Sequence, residues 1–516
     1  MYKKLYFGNT INNHWNILEI LNENKKPTEY IAIRGEFWTP ESEKDFNELL
    51  KTKKIIGLSS YQNYPKFINN PTENRGPTKE EDAFINKYGN NVILWLHCFK
   101  DSINYIPPSI PKILYSETDQ YPNVAYLNSI ITKDKKYDFI ASIQETEWNS
   151  WIRGLDIAKK WLNYMADVMK LKILVCGSNR RSDFSNNIDV IEFKPWGEFI
   201  NVLNSAKYLF CSSRYDASPR ILIEAMALNM PVLLNENILG GWKYINDNTG
   251  MFFFYDEDIN TRVNKFLNHF SNQKYQPYLW IKNNVNIDKG AERLGITVSY
   301  LSSFDFSNYV DKILFINLDN RKDRLEQMTN EFKKMNIDND LIYRVDAVYD
   351  KDCGHRGCSL SHIKALNIAK QNKWNRILIF EDDFQFNLPK ERVLFLLNTL
   401  YKNVDKWNVF MLGIGWYNYE DTNINLFKRV YGGTTASGYI VNNNYIDTLL
   451  NNFNESYELL NKEVIEFKKN NPDKKLFTTS NALDQKWFSL QDKNIFLISE
   501  PIIGKQSGIS STIMNN

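Results

Sequence analysis

Short apolar runs alternate with helix-period segments along the whole chain. YIAIRG (30–35), KIIGLSS (54–60), NVILWLHCF (91–99), KILYSE (112–117) and YDFIASI (137–143) are rich in β-branched and aromatic residues, and each predicts a strand. LKILVCGSN (171–179), DVIEF (189–193) and KYLFCSS (207–213) continue the series. Strands alternating with helical segments predict stacked α/β units. One restart is visible. After a polar, irregular stretch around 282–309, KILFINLDNRKDR opens a new strand, and Leu325, Met328, Phe332 and Met335 then recur at helical spacing. The pattern predicts a module boundary near residue 305 and a softer one near 135, giving segments 1–135, 136–300 and 306–516. No internal repeat or low-complexity linker interrupts it.

Composition narrows the partners more than the fold. At ~150 residues per domain, 516 residues predict three or four domains. Hydrophobic residues at 43% and charged residues at 24% are ordinary for a globular protein. A formal charge of +2 supplies no global basic field, so composition gives no argument for nucleic acid or an anionic membrane as partner, and it leaves room for a local basic pocket. The start, MYKKLYFGNTINNHW, lacks an apolar stretch of signal-peptide length, and no window reaches ~18 uninterrupted apolar residues, so no membrane span is expected. Of the five cysteines, three (Cys98, Cys176, Cys211) lie in apolar runs, where thiols act as small hydrophobes; a reducing, cytoplasmic setting is expected.

Candidate chemistry in the first module centres on SSRYDASPRILIEAMALNMPVLLNENILGG (212–241). A strand ends at Ser212 and Ser213, and a polar loop leads to Pro219 near a helix start. The helix ILIEAMAL carries Glu224, Pro231 ends it, the apolar run PVLL follows, and Gly-Gly closes the unit. A helix N-terminus at the carboxyl end of a strand seats a diphosphate, because free N–H groups and the helix dipole face the anion. Arg220 adds a positive fork and Glu224 an acceptor for ribose hydroxyls. The stretch resembles the donor-binding domain of family 4 glycosyltransferases of the GT-B fold, closely over 135–260 and loosely over 1–135. That family carries an acidic residue, seven residues, then Glu; here Asp216 and Glu224 keep the spacing, with Asp in place of the usual Glu. The resemblance implies that Asp216 and Glu224 are the catalytic pair, that Arg153 of WIRGLDIAKKW (151–161) binds the donor phosphates, that no metal is needed and that anomeric configuration is retained. His97 at a strand end fits either a sugar-contacting or a structural role, and Gly8-Asn9-Thr10 is expected to be a loop near substrate.

In the second module, four motif groups occur in order: ILFINLDNRKDR (313–324), GHRGCSLSHIKAL (354–366), RILIFEDDFQF (376–386), and the group GGTTASGYIVNNN (432–444), ALDQKW (482–487) and EPIIGKQSGISS (500–511). The apolar strand ILIF delivers Glu381, Asp382 and Asp383 to its end. Three adjacent carboxylates repel one another, so a cation neutralises them economically, and hard oxygen ligands suit Mn²⁺ or Mg²⁺. Strand alternation puts Glu381 and Asp383 on one side and Asp382 on the other, while a solvated acidic turn is the plainer alternative.

Together the motifs resemble glycosyltransferase family 25, which contains lipopolysaccharide transferases and procollagen galactosyltransferases. The likeness covers nearly the whole module and implies a GT-A-like, mixed-sheet domain. It implies that Glu381, Asp382 and Asp383 hold metal and diphosphate, that Arg321 and Arg324 contact the donor, and that Ser361 and His362 line the site. The resemblance also implies that Gln506 and Ser507 close the pocket and that Asp484 is the base an inverting displacement requires; from spacing alone Asp484 fits a helix N-cap equally. Arg356 stands where the family often has an acidic residue. A rival set, Cys353, His355, Cys358 and His362, has the donor types of a zinc site, with tight spacing.

The expectation is therefore an α/β chain with a twin-Rossmann GT-B-like module followed by a GT-A-like one. It would be a bifunctional glycosyltransferase taking hexoses, galactose in the second module, from nucleotide sugars such as UDP-hexose to a glycan or glycoconjugate. The alternative is one active C-terminal transferase with the first module binding a glycan or partner. Location peripheral to glycan-assembly membranes, or in a host cytoplasm for a viral protein, fits equally. A nucleotidyltransferase would share the acidic chemistry, and no Gly-rich triphosphate loop supports it.

Overall fold

The computed structural model describes residues 2–11, 14–35, 40–59, 87–143, 151–177, 183–272, 275–415, 417–477 and 479–508. Ser178 and Asn179 of the LKILVCGSN run, and Ile509 to Ser511 of the tail motif, lie outside them. The chain divides into two compact units, Met1–Ser299 and Tyr300–Asn516.

The first unit holds two six-stranded sheets. The first sheet runs in chain order: β1 (Tyr6–Ile11), β2 (His14–Leu21), β3 (Pro27–Ile33), β4 (Lys54–Leu58), β5 (Val92–His97) and β6 (Lys112–Leu114). From β3 to β6 the strands are parallel, and β5, VILWLH, is buried at every position, as a strand covered on both faces must be. The antiparallel ribbon β1–β2–β3 forms one edge. Gly8, Asn9 and Thr10 correct the sequence reading here. They lie inside β1, not in a loop, and a Cβ on Gly8 would sit 2.9 Å from Leu21 Cγ across the ladder. A glycine there serves close cross-strand packing.

The second sheet is wholly parallel, in the order β12-β11-β10-β7-β8-β9. Its strands are β7 (Tyr137–Ser142), β8 (Ile173–Cys176), β9 (Ile188–Ile191), β10 (Ala206–Cys211), β11 (Val232–Asn235) and β12 (Gly250–Phe253). Chain order reverses between β7 and β10, which makes their carboxyl ends the topological switch point, where open α/β sheets bind ligands. The twin Rossmann-like plan expected of the first module is present. Helices cover both faces: Trp161 of Leu155–Asp167 packs beside Phe210 and Phe253 on one side, and Leu222, Met226 and Ala227 of Arg220–Ala227 join the core of the other.

The second unit is built on an eight-stranded mixed sheet, in the order β14-β13-β15-β20-β17-β21-β19-β18. The strands are β13 (Lys312–Asn317), β14 (Ile342–Asp346), β15 (Ile377–Glu381), β17 (Val409–Met411), β18 (Asn418–Asp421), β19 (Phe427–Tyr431), β20 (Gly438–Val441) and β21 (Phe496–Ser499). A small pair, β16 (Phe384–Phe386) with β22 (Gly504–Gln506), stands beside it. The strands β14, β13 and β15 run parallel, so Asn317 and Glu381 end at the same edge of the sheet. One face carries the helix Gly354–Gln371 through Ala365, Leu366 and Ala369, and the other a cluster around Phe380, Phe384 and Leu397. No helix among the described residues is long and apolar enough to cross a membrane.

Candidate functional site

At the switch point of the first unit, two glycine devices shape the crevice. Gly154 has φ +66°, and a Cβ there would lie 2.2 Å from the carbonyl oxygen of Ser212. Only glycine lets the helix Leu155–Asp167 begin against the end of β10. This approach sets Arg153, whose carbonyl accepts from Ser212 Oγ at 2.7 Å, beside the loop after β10. On the far side, Gly240 N–H donates to Asp216 O at 2.9 Å, and a Cβ on Gly240 would meet the Ala217 carbonyl at 2.1 Å. The Gly-Gly turn of the motif thus clamps the loop 214–219.

A cavity of about 430 Å³ opens here, with Ser142, Arg153, Asp216, Ser218, Arg220 and Glu224 on its polar wall and Phe193 and Trp196 on its apolar one. Arg153 donates to and pairs with Asp216. Burial works against the Arg153 cation, and the Asp216 carboxylate outweighs it, so the guanidinium is held charged. Glu224 is 5% exposed and accepts from Tyr121 Oη and Trp196 Nε1, both at 2.9 Å, so its carboxylate is aimed by two neutral donors. Arg220 opens the helix Arg220–Ala227 and reaches solvent, 3.9 Å from Glu117. Tyr121 and Trp196 are the residues that sequence reasoning missed, since neither belongs to a quoted motif. His97 ends β5 in a buried position, and burial, with Lys112 and Lys243 nearby, lowers its pKa to about 4. Near pH 7 the imidazole is therefore neutral.

In the second unit, the EDD carboxylates turn toward three different elements. Glu381 Oε1 lies 3.2 Å from His362 Nε2 and 3.3 Å from Cys358 Sγ on the helix Gly354–Gln371. Asp382 accepts from Asn317 Nδ2 at 2.8 Å, at the end of β13. Asp383 accepts from Gln506 Nε2 of β22 at 3.0 Å, and its backbone carbonyl accepts from Ser507 N–H at 2.6 Å. The alternation expected from a continued strand is replaced by a turn at Asp382 and Asp383. Still, Asp383 is 5% exposed and its Oδ1 has no partner, which sets aside the solvated acidic turn. Burial and then the Glu381 charge raise Asp383 to about 7, while Glu381, although buried, is held below its ordinary value by His362 and Cys358.

Asp484 is the second residue of the short helix Leu483–Lys486, whose N-cap is Ala482, so the N-cap alternative falls. Its carboxylate accepts from Thr435 N–H at 2.9 Å, and burial raises its pKa. Arg324 donates to Ser507 Oγ at 3.2 Å, and Arg321 is forked onto Asp323; both cations lie within the field of Asp382. Ser361 corrects the sequence reading. Its hydroxyl donates to Gly357 O at 2.7 Å and accepts from Val348 N–H at 2.8 Å, so it is a buried structural pin and not a lining group. The four-residue zinc set also separates. Cys353 packs with Leu460, Val464 and Leu476, and His355 Nε2 lies 3.0 Å from Phe477 O, while the donor atoms of Cys358 and His362 gather with Glu381. Asn317 and Tyr439 are further residues of this region, both inside quoted motifs and not singled out there.

Buried Asp383 ties the stability of the fold to pH. A carboxyl raised from 3.8 to about 7 binds its proton more tightly folded than unfolded. Its contribution is full below pH ~4 and is lost as pH rises to about 7. Without divalent ions, thermal stability of the full chain is expected to fall over that window, by up to roughly 4 kcal/mol from this group. The Asp383→Asn variant should flatten the profile in calorimetry at pH 5, 6, 7 and 8.

Residues 172–278, which form most of the second Rossmann-like half, match the family model described as glycosyl transferases group 1. The chain therefore carries a glycosyltransferase domain. Similar solved structures include a variant of TarM from S. aureus in complex with fondaparinux, α-GlcNAc-glycerol and UDP, with 14% identity and a TM-score of 0.39, covering 55% of this chain and 62% of that one. The pneumococcal O-GlcNAc transferase GtfA with UDP and GlcNAc shows 10% identity and a TM-score of 0.37, covering 58% of this chain and 70% of that one. Sucrose-phosphate synthase from Thermosynechococcus elongatus shows 12% identity and a TM-score of 0.38, covering 53% and 74% respectively. The chain thus spans less than two thirds of the length of TarM. No curated protein matches the sequence.

Proposed function

We propose that the chain is a fused glycosyltransferase with two independent sites, each taking a hexose from a nucleotide sugar such as UDP-hexose to a glycan or glycoconjugate acceptor. The observation that carries the reading is the switch-point cavity, where Arg153, Asp216, Arg220 and Glu224 converge within the segment that matches glycosyl transferases group 1. In this GT-B-like unit, Arg153 and Arg220 stabilise the departing diphosphate, Glu224 holds the ribose hydroxyls, and Asp216 faces the transferred sugar.

The second unit is a family 25-like, GT-A-like transferase. The buried, unpartnered Asp383 Oδ1 beside a second carboxylate fits a hard divalent ion, Mn²⁺ or Mg²⁺, with Glu381 and Asp382 adjacent. When bound, such an ion offsets the charge that develops on a diphosphate leaving group. Arg324 and Arg321 complement the donor's phosphates. Asp484, raised by burial, takes the acceptor hydroxyl proton as the acceptor oxygen bonds to the anomeric carbon and the bond from that carbon to the phosphate oxygen breaks. The products are the glycoside, with inverted configuration, and the nucleoside diphosphate.

The Arg153–Asp216 pair supports a second reading, in which Asp216 is fully occupied and the first unit only binds a glycan or partner. A screen of UDP- and GDP-hexoses against a panel of glycan acceptors, with Mn²⁺ and with chelator, separates the two. The proposal expects one transfer activity that survives chelation and one that does not. A single activity, wholly lost on chelation, leaves the first unit as a binding domain, and no transfer or donor hydrolysis under either condition removes the proposal.

A further inference from the structure

We propose that Cys358, His362 and Glu381 form a binding site for a borderline-soft divalent cation of the Zn²⁺ class, different in chemistry from the hard-ion role of Asp383. One sulfur, one imidazole nitrogen and one carboxylate oxygen lie within 4.8 Å of one another. Glu381 Oε1 is 3.2 Å from His362 Nε2 and 3.3 Å from Cys358 Sγ. Ligands bound at zinc's usual bond lengths and tetrahedral angles sit roughly 3.3–3.7 Å apart, so two edges of the triangle are close to coordination span. A thiolate with an imidazole selects Zn²⁺ or Co²⁺ over Mg²⁺ or Ca²⁺.

The sequence builds the pair directly. Cys358 and His362 are four residues apart on the helix Gly354–Gln371, so they share one helical face, and β15 brings Glu381 to meet it. His362 is fully buried, and its Nδ1 lies 2.8 Å from Tyr439 Oη. That contact works in either direction. In the absence of an ion, the Tyr439 hydroxyl donates to Nδ1 and Nε2–H donates to Glu381; with an ion on Nε2, Nδ1–H donates to the Tyr439 oxygen. The hydroxyl thus orients the ring for metal binding in the way outer-shell partners of zinc-bound histidines do. Asp383 and Asp484 add negative charge around Cys358, and the Glu381 side chain remains 22% exposed, which leaves a side open for a fourth ligand. Because Glu381 also belongs to the proposed donor site, zinc there would withdraw it and inhibit transfer by the second unit; that consequence alone rests on the transferase reading.

The test is a Co²⁺ titration of the full chain followed by absorption spectroscopy. The expected result is saturation at one equivalent, with a thiolate-to-cobalt charge-transfer band and tetrahedral d–d bands, all displaced by Zn²⁺. The other four cysteines are buried, so the sulfur band should vanish in Cys358→Ser. Tyr439→Phe should keep the band and weaken affinity by about 10–100-fold. Saturation without a sulfur band, or a band that persists in Cys358→Ser, overturns the site. Should Cys358→Ser fail to fold, alkylation of Cys358 in the wild-type chain decides by peptide mass: Zn²⁺ must slow it, and an unchanged rate overturns the site. None of these readouts needs donor turnover, so the metal site and the transferase reading fail separately.

Discussion

Replacing Asp383 by Ala is expected to lower Mn²⁺-dependent transfer by about 10³-fold, roughly 4 kcal/mol of transition-state stabilisation, and to leave chelator-resistant transfer unchanged. The side chain is buried, its Oδ1 has no protein partner, and its Oδ2 is fixed by Gln506. A carboxylate desolvated and left half-satisfied costs stability, and a cation or a proton offsets that cost. Removing the carboxylate therefore removes the charge a divalent ion would meet, while the strands on either side keep their pairing. The Asp383→Asn variant separates charge from shape. It is nearly isosteric and can keep a contact with Gln506, so a loss as deep as in Asp383→Ala assigns the effect to charge. Steady-state kinetics across a Mn²⁺ series would read the result. Equal loss of both activities would count against two independent sites, and full activity in Asp383→Ala would remove Asp383 from the mechanism.

The parts that were readable from sequence are those written locally. Parallel strands covered on both faces, such as β5 and β15, are continuous apolar runs, so their positions followed from composition alone. The loop from Ser212 to Gly241 was readable because its chemistry is punctuated by Pro219, Pro231 and two glycines, each with one backbone role. What escaped was tertiary partnership. Glu224 owes its aim to Tyr121 and Trp196, which are 103 and 28 residues away, and His362 owes its ring orientation to Tyr439, which is 77 away. No periodicity encodes such pairs. Ser361 misled for a related reason. A helical serine next to a histidine of the same motif looks like a lining residue, whereas its hydroxyl is consumed by the carbonyl four positions back. Gly8 misled because an isolated glycine signals a turn or a close approach equally well, and only the register of β1 against β2 decides. The metal-ligand set failed and partly recovered on the same physics. Four-residue spacing kept Cys358 with His362, while Cys353 and His355, at the start of the helix, turned to other neighbours.

Replacing Glu224 by Ala is expected to reduce the chelator-resistant transfer by about 10²–10³-fold and to leave the Mn²⁺-dependent one intact. Glu224 sits in the first turns of the helix Arg220–Ala227, at the carboxyl end of β10, where the sheet's chain order reverses. It is 5% exposed, and its two donors, Tyr121 and Trp196, bind the same oxygen, Oε1. Oε2 therefore remains for a ligand's hydroxyls in the cavity shared with Arg153 and Asp216. A role confined to holding ribose would raise KM for the nucleotide sugar and spare kcat; a role in the transition state would lower kcat and kcat/KM together. Deleting the carboxylate also leaves two donors without an acceptor, at about 1–3 kcal/mol each if water does not replace it, so activity must be set against the melting temperature of each variant. Tyr121→Phe supplies the control. It keeps the carboxylate and removes one of the groups that aim it, so a loss of transfer at preserved stability, smaller than in Glu224→Ala, is the expected signature of positioning. A Glu224→Ala chain that folds normally and transfers sugar in chelator at the wild-type rate would detach the switch-point cavity from catalysis.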